Sequence, residues 1–450
     1  MGERVFLVHG WSVQDTTTYQ ALHLQLARSG FALEEIFLGR YVTLEDRVEI
    51  GDIASALHLA LDEKLGGDWT LPFHILTHST GALVVRHWIS RHYQSPRCDA
   101  RPLKNLVFLA GPHFGSRLAH HGRSMLAHLR YLGETGERVL DALELGSAFN
   151  WEQSGDWMDE SLWRAKGIRP WCLTGDRVRK TALDAFAAKI LPAGFETGSD
   201  MVVRCASANL NFERFEIRAA EGLRKVGGIE GVPFAALGDF VHSGPECGIM
   251  NSIRKSTKPE SHRALALILR CLLVKTDAEQ QAAAKEMEAA TCETRKRRSA
   301  YAQLDFRFRD DTGAPIGDYA FKLGWLDEKG RPRPSRAVAS THKNRRCPNQ
   351  FTAFIDLTQI DPEATYFMEF DSSSGSSLFS YQPDPLYIDS NGHKGIIAKL
   401  LQPDRTTQFD VILSRVPDRN LFVFHPGNDG DLHLKWDRAG EVVKRRLEIE

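Results

Sequence analysis

Over the first 275 positions, apolar residues come in short unbroken runs that alternate with segments of helical spacing. Val5-Phe6-Leu7-Val8 has no polar position, as a strand buried on both faces requires, and it stops at Gly10. Between 15 and 29, Tyr19, Leu22, Leu24, Leu26 and Ala27 recur at helical spacing and Gly30 closes the segment. A strand over Ala32–Leu38 then precedes a helix from about Asp52 to Lys64. Phe73-His74-Ile75-Leu76 predicts a third strand, with a helix after it through Val84, Val85, Trp88 and Ile89. Leu106-Val107-Phe108-Leu109 predicts a fourth. Strand–helix alternation at this pace predicts a mostly parallel sheet with right-handed crossovers.

Past residue 300 the period becomes two. Leu304, Phe306 and Phe308 alternate with polar residues, and Tyr319-Ala320-Phe321 and Tyr366 to Phe370 follow. Leu421 to Phe424 is a further run, and the turn 426–431 leads into Leu432, Leu434 and Trp436. No strong helix interrupts until 395–401, so this part predicts a β-sandwich. The join, 276–299, is rich in Ala, Gln, Glu and Lys and ends in Arg295-Lys296-Arg297-Arg298, which predicts a solvated helix running into a linker. The expected organisation is therefore an α/β domain over 1–275, a helical linker over 276–300 and a β-rich domain over 301–450.

At 450 residues and 42% hydrophobic, the chain has ample material for these cores. Its 57 Lys and Arg nearly balance 58 Asp and Glu, which argues against a nucleic-acid binder. The N-terminal apolar run is too short for a secretory leader, and no run approaches the length of a membrane span, which predicts a cytosolic product. Gly2 lacks the Ser or Thr that a myristoylation signal needs at Phe6. Seven scattered cysteines without a C-x-x-C pair predict reduced thiols rather than a disulfide framework or a zinc site.

Candidate chemistry lies in the first part. Thr77-His78-Ser79-Thr80-Gly81 sits between the third strand and its helix in the G-x-S-x-G pattern, with Thr77 in place of the first glycine. A nucleophile on so sharp a turn needs small neighbours two residues away, and the helix N-terminus beyond it favours developing negative charge. Ser79 is the candidate nucleophile. His9-Gly10-Trp11 follows the first strand, and the backbone N–H groups of Trp11 and Thr80 would form an oxyanion hole.

Together with Leu109-Ala110-Gly111-Pro112-His113-Phe114-Gly115-Ser116, these motifs resemble the α/β-hydrolase lipases. The likeness is to bacterial lipases and phospholipases related to the GPI inositol-deacylase and lecithin–cholesterol acyltransferase groups, and it covers roughly residues 4–275. It implies an α/β-hydrolase fold and a serine hydrolase that cleaves lipid esters, with no cofactor and no metal. It also implies that the acid and the histidine of a triad follow Ser79 in the chain. Gly198-Ser199-Asp200-Met201-Val202 resembles the family's acid segment, with Met201 where glycine is common, and makes Asp200 the preferred acid; Asp176 is the rival. Phe240-Val241-His242-Ser243-Gly244 resembles the late histidine loop and makes His242 the base. His78 is expected to point away from Ser79, and His113, His120 and His121 to be structural or superficial.

A lid insertion is expected at about 117–167. Met125, Leu126, Leu129, Leu132, Val139, Leu140 and Leu143 read as two amphipathic helices, and Trp151, Trp157 and Trp163 recur every six residues. They suit either a cap packed on the core or a lid that meets a lipid interface. A lipase without a leader and with an appended β-domain also resembles effectors exported by type VI secretion. That likeness implies a membrane-interface substrate and, as partners, a cognate immunity protein or a secretion-apparatus component. Two alternatives stand beside this reading: a cytosolic esterase or thioesterase on soluble acyl substrates, and a non-catalytic binding protein on a hydrolase fold.

Overall fold

The computed structural model describes residues 2–9, 20–36, 45–117, 136–177, 197–218, 221–388, 396–418, 421, 432–436 and 442–446. The chain opens with β1 (Glu3–Val8), α1 (Gln20–Arg28), β2 (Phe31–Ile36), α2 (Ile50–Leu65), β3 (Phe73–His78), α3 (Gly81–Arg91) and β4 (Leu103–Leu109). Then come α4 (Glu137–Leu143), α5 (Ala148–Trp157), β5 (Arg169–Gly175) and the single turn α6 (Cys205–Ala208). An antiparallel pair, β6 (Phe212–Arg218) and β7 (Gly222–Ile229), precedes β8 (Phe234–Leu237), α7 (Arg263–Leu272) and α8 (Asp277–Arg295).

Strands β2-β1-β3-β4-β5-β8 form one sheet, parallel throughout. The unbroken apolar runs follow from burial on both faces, because alternate side chains leave a strand on opposite sides. Phe6, Val8, Phe73 and Ile75 pack with α2, α3 and Trp88 on one face. Val5, Leu7, Leu76, Val107 and Leu109 pack with Leu22, Leu26, Leu265, Ile268 and Met287 on the other. The helices carry their own stop signals: a Glu49–Asp52 capping box starts α2, and Gly66, left-handed at φ 63°, ends it.

The β-rich part holds β9 (Tyr301–Asp310), β10 (Tyr319–Leu326), β11 (Pro332–Pro334), β12 (Val338–Lys343), β13 (Gln350–Asp356) and β14 (Thr365–Ser372). It continues through β15 (Phe379–Gln382), β16 (Leu386–Ile388), the short α9 (Ile396–Leu400), β17 (Thr406–Pro417), β18 (Leu432–Trp436) and β19 (Val442–Arg446). A four-stranded sheet, β11-β10-β14-β16, shares one core with a larger sheet ordered β12-β13-β9-β17-β6-β7, in which β15 also pairs with β17. Phe306, Phe308, Met368, Phe370 and Phe409 fill that core, so the alternation after residue 300 does mark a sandwich.

Two features differ from the expected organisation. The β6–β7 pair precedes residue 275 yet completes the larger β-sheet, because β6 pairs in parallel with β17 over seven residues and buries Phe215 and Ile217 there. Helix α8 is no linker: Ala283, Met287, Ala290, Thr291 and Thr294 are buried, and Thr291 and Thr294 bond the backbone of β8 and its flank. The basic run that ends it is also partly internal. Arg298 ion-pairs with both Asp176 and Asp404, and Arg295 with Asp404.

The tryptophans of the expected lid lie inside the molecule. Trp151, Trp157 and Trp163 are at most 2% exposed. Trp157 donates its indole N–H to the Arg86 carbonyl of α3, Trp163 donates to the Trp157 carbonyl, and the two rings stack 5.6 Å apart. The guanidinium groups of Arg214 and Arg307 lie over the Trp151 ring, 4.9 and 4.6 Å from its centroid. These indoles are cap packing rather than a lipid-facing surface. Met125, Leu126, Leu129 and Leu132 lie outside the described residues. Among the described residues, no helix is long and apolar enough to cross a membrane.

Trp157→Ala should cost about 3–5 kcal/mol of unfolding free energy, the usual penalty for emptying a site of this size in a packed core. Urea unfolding of parent and variant measures it; a loss below about 1 kcal/mol would place the indole at a surface.

Candidate active site

Strand β3 ends at His78, and Ser79 follows with φ 54°, a left-handed conformation that costs a non-glycine residue about 1–2 kcal/mol. The turn is tight because α3 starts against β1. A Cβ on Gly81 would lie 2.5 Å from the Val8 carbonyl oxygen and 2.9 Å from that of His9, so only glycine fits. Thr77 is fully buried on β3 and paired with Val8 and Phe108 in register, so the larger residue is accommodated at the first position of the motif. Among the described residues nothing accepts the Thr80 backbone N–H, which lies at the N-terminus of α3.

His242 Nε2 lies 3.0 Å from Ser79 Oγ, and His242 Nδ1 lies 2.8 Å from Asp200 Oδ2. A carboxylate oxygen only accepts, so Nδ1 carries the hydrogen and the Nε2 lone pair faces the serine hydroxyl. Asp200 is fully buried, and its other oxygen accepts the Val202 and Val203 N–H groups at 2.9 and 2.7 Å. The backbone joins the two loops as well, because the His242 N–H donates to the Asp200 carbonyl at 2.9 Å. Ser79, His242 and Asp200 are thus brought into one hydrogen-bonded chain.

The rival acid is engaged elsewhere. Asp176, one residue past β5, is bound by Arg298, and burial pushes its carboxyl up to about 6 against the pull of that guanidinium. Trp11 lies outside the described residues, as do His120 and His121. Among the described residues, no group of three His, Cys, Asp or Glu side chains is arranged to hold a metal ion.

His78 takes a place that the motif does not announce. It shares a face of β3 with Leu76, the face against which the segment carrying Phe240, Ile249 and Met250 packs. Its Nε2–H donates to the His242 carbonyl at 3.0 Å, and the two rings lie 4.9 Å apart. Burial, with His242 adding to it, pushes His78 down to about 3. His9 is lowered to about 4 by burial, and burial holds His113 well below its ordinary value. Because β3 carries three polar residues, His74, Thr77 and His78, the sequence pattern does not single out His78 for this role. Arg86, fully buried on α3, lies 5.0 Å from the Trp157 centroid and donates to the carbonyls of His113 and Gln153 at 3.4 Å.

No known family profile matches the chain, and no curated protein matches it. Among solved structures, it resembles phospholipase PlaB from Legionella pneumophila with a TM-score of 0.81 and 26% identity, over 99% of this chain and 100% of that one. PlaB in complex with thio-NAD matches at 27% identity and TM-score 0.81, over 98% and 100%. The mature lipase BlEst2 from Bacillus licheniformis is a weaker match, at 19% identity and TM-score 0.35 over 46% of this chain and 80% of that one. The protein has an α/β-hydrolase fold with additional β-rich sheets and is a carboxylic ester hydrolase.

The buried neutral histidines give stability a pH dependence. His78 binds its proton far below the ordinary 6.5, so the unfolded chain takes up a proton that the native state refuses as pH falls below that value. Stability is therefore full above about pH 6.5 and declines on acidification, by about 1.4 kcal/mol per pH unit for each such histidine. His78→Gln should flatten the slope of unfolding free energy between roughly pH 6 and 5 by about that amount. An unchanged slope would mean that His78 is protonated in the native state.

Proposed function

We propose that the protein is a phospholipase that cleaves a carboxylic ester of a phospholipid through Ser79, His242 and Asp200. The chemistry is supported by the 3.0 and 2.8 Å contacts linking these three side chains. The lipid substrate is supported by the full-length likeness to PlaB. In the first step His242 Nε2 takes the Ser79 proton as Oγ attacks the ester carbonyl, and Asp200 holds the imidazolium that forms. The N–H groups of Thr80 and Trp11 receive the oxyanion. Collapse of the tetrahedral intermediate expels the lipid alcohol, protonated by His242, and leaves an acyl-Ser79. Water, deprotonated by the same imidazole, attacks the acyl group and releases the fatty acid and the free serine. No step requires a metal.

Ser79→Ala should lower kcat by about 10⁶ and abolish labelling by a fluorophosphonate, with the fold intact by circular dichroism. Asp200→Asn should cost about 10⁴, because the histidine then loses its fixed tautomer. Asp176→Asn should instead lower the unfolding midpoint, since it leaves Arg298 with one buried partner fewer, while the folded fraction turns over normally. The assays use phospholipid vesicles beside a soluble short-chain ester. Hydrolysis of the soluble ester alone would make the protein an esterase, and a Ser79→Ala variant that retained activity would remove the nucleophile assignment.

A further inference from the structure

The loop that carries Asp200 has two sides. Its inner side meets His242. Its outer side rests on the larger β-sheet, which is formed mostly by residues far along the chain. Thr197 Oγ1 lies 2.7 Å from the Tyr301 hydroxyl of β9. Gly198, at φ 77°, sits so close to the Tyr301 ring that a Cβ would lie 2.8 Å from it. Tyr301 stacks on Phe354 of β13, with centroids 4.6 Å apart and planes 8° from parallel. The Arg204 guanidinium covers the same Phe354 at 4.0 Å and donates to Ser340 Oγ of β12 at 2.9 Å.

The attachment continues past the loop. Thr406 Oγ1 of β17 donates to the Ala206 carbonyl in α6 at 3.0 Å, and Asn209 Nδ2 donates to the Asp404 carbonyl at 2.8 Å. Between these anchors the loop holds Met201 at φ 79°, a left-handed conformation that a non-glycine residue keeps only when its surroundings over-determine it. Within the loop, the Cys205 N–H donates to the Gly198 carbonyl, the Asp200 N–H to the Val203 carbonyl, the Met201 N–H to Ser199 Oγ, and the Val202 and Val203 N–H groups to Asp200 Oδ1.

We propose that the sheet surface formed by Tyr301, Ser340 and Phe354 positions the triad acid, so that Ser79 turns over only when the β-rich part is seated against residues 197–205. The proposal rests on the triad reading above. Tyr301, Arg204 and Phe354 touch no reacting atom; they act through Asp200. A carboxylate displaced by a fraction of an ångström loses its hold on the imidazole, whereas the nucleophile elbow, built from β1, β3 and α3, is unaffected. Unseating the sheet therefore lowers turnover without altering how substrate binds.

A double-mutant cycle tests this with the full-length enzyme and a soluble short-chain ester. Tyr301→Phe, which removes one hydroxyl, and the combination Tyr301→Phe with Arg204→Gln should lower kcat by about ten- to a hundredfold. KM should stay within about twofold, as expected when ground-state binding is untouched. The same substitutions in the Asp200→Asn background should cause no further loss, because the residue through which they act has already been disabled. In proton NMR, the low-field resonance of the His242 Nδ1–H should broaden or vanish in the Tyr301 and Arg204 variants. An unchanged kcat in well-folded variants, or losses that multiply in the Asp200→Asn background, would overturn the positioning role while leaving the triad standing. An Asp200→Asn enzyme as active as the parent would overturn the triad reading and this proposal with it.

Discussion

The close approach of α3 to β1 is the contact on which the site depends. Gly81 lies against the Val8 and His9 carbonyls, and the room saved there forces the chain to reverse within Ser79 and Thr80. The reversal lifts Ser79 out of the plane of β3 at the N-terminal end of a helix, with the hydroxyl free to meet an imidazole arriving from another loop. Strain at Ser79 is tolerated because the strands on either side are fully buried and hydrogen-bonded. The Ser79 N–H itself donates to the Leu109 carbonyl of the neighbouring strand. Any side chain at position 81 would open the angle and carry the Ser79 hydroxyl away from His242.

The second half of the molecule is joined to the first by buried charge and polar contacts as well as by the β6–β17 strand pairing. Arg298 is buried between Asp176 and Asp404, linking the end of β5 to the turn before β17. Arg214 of β6 donates to the Trp151 carbonyl, Ser154 Oγ and Gln408 Oε1, and so ties α5 to β17. Buried ion pairs add little net stability over apolar packing, but they penalise every arrangement that leaves one member alone. Such a junction specifies a single seating of one part on the other, which suits a loop whose carboxylate must be held in one place.

The interior tryptophans follow the same logic. Trp157 and Trp163 fill the space beneath α3, and each of these two indole N–H groups finds a backbone carbonyl, whereas the buried Trp151 N–H meets no acceptor among the described residues. The cap over 137–167 is in this sense a part of the catalytic core. Its Trp157 packs on Arg86 and its Gln153 donates to the Leu83 carbonyl, which braces the helix that follows Ser79.

Much of this was legible without coordinates. Four-residue apolar runs signalled strands buried on both faces, the change to period two marked the sandwich, and the elbow motif marked the sharp turn that Ser79 makes after β3. Each of these is a local property, because periodicity records which positions are buried. It does not record what they are buried against. Six-residue spacing of tryptophans is compatible with a membrane face or a core, and only the neighbours Arg86, Arg214 and Arg307 decide for the core. Asp200 and Asp176 both stand at strand-like segments, and what separates them is that one faces a histidine 42 residues onward and the other an arginine 122 residues onward. The hydroxyl of Ser79 meets its imidazole across 163 residues, and β6 leaves the segment that encodes it to pair with a strand near the end of the chain. Those partnerships were settled by tertiary packing, since the free energy of a buried charge or of an edge strand depends on the group opposite it, wherever in the chain that group lies.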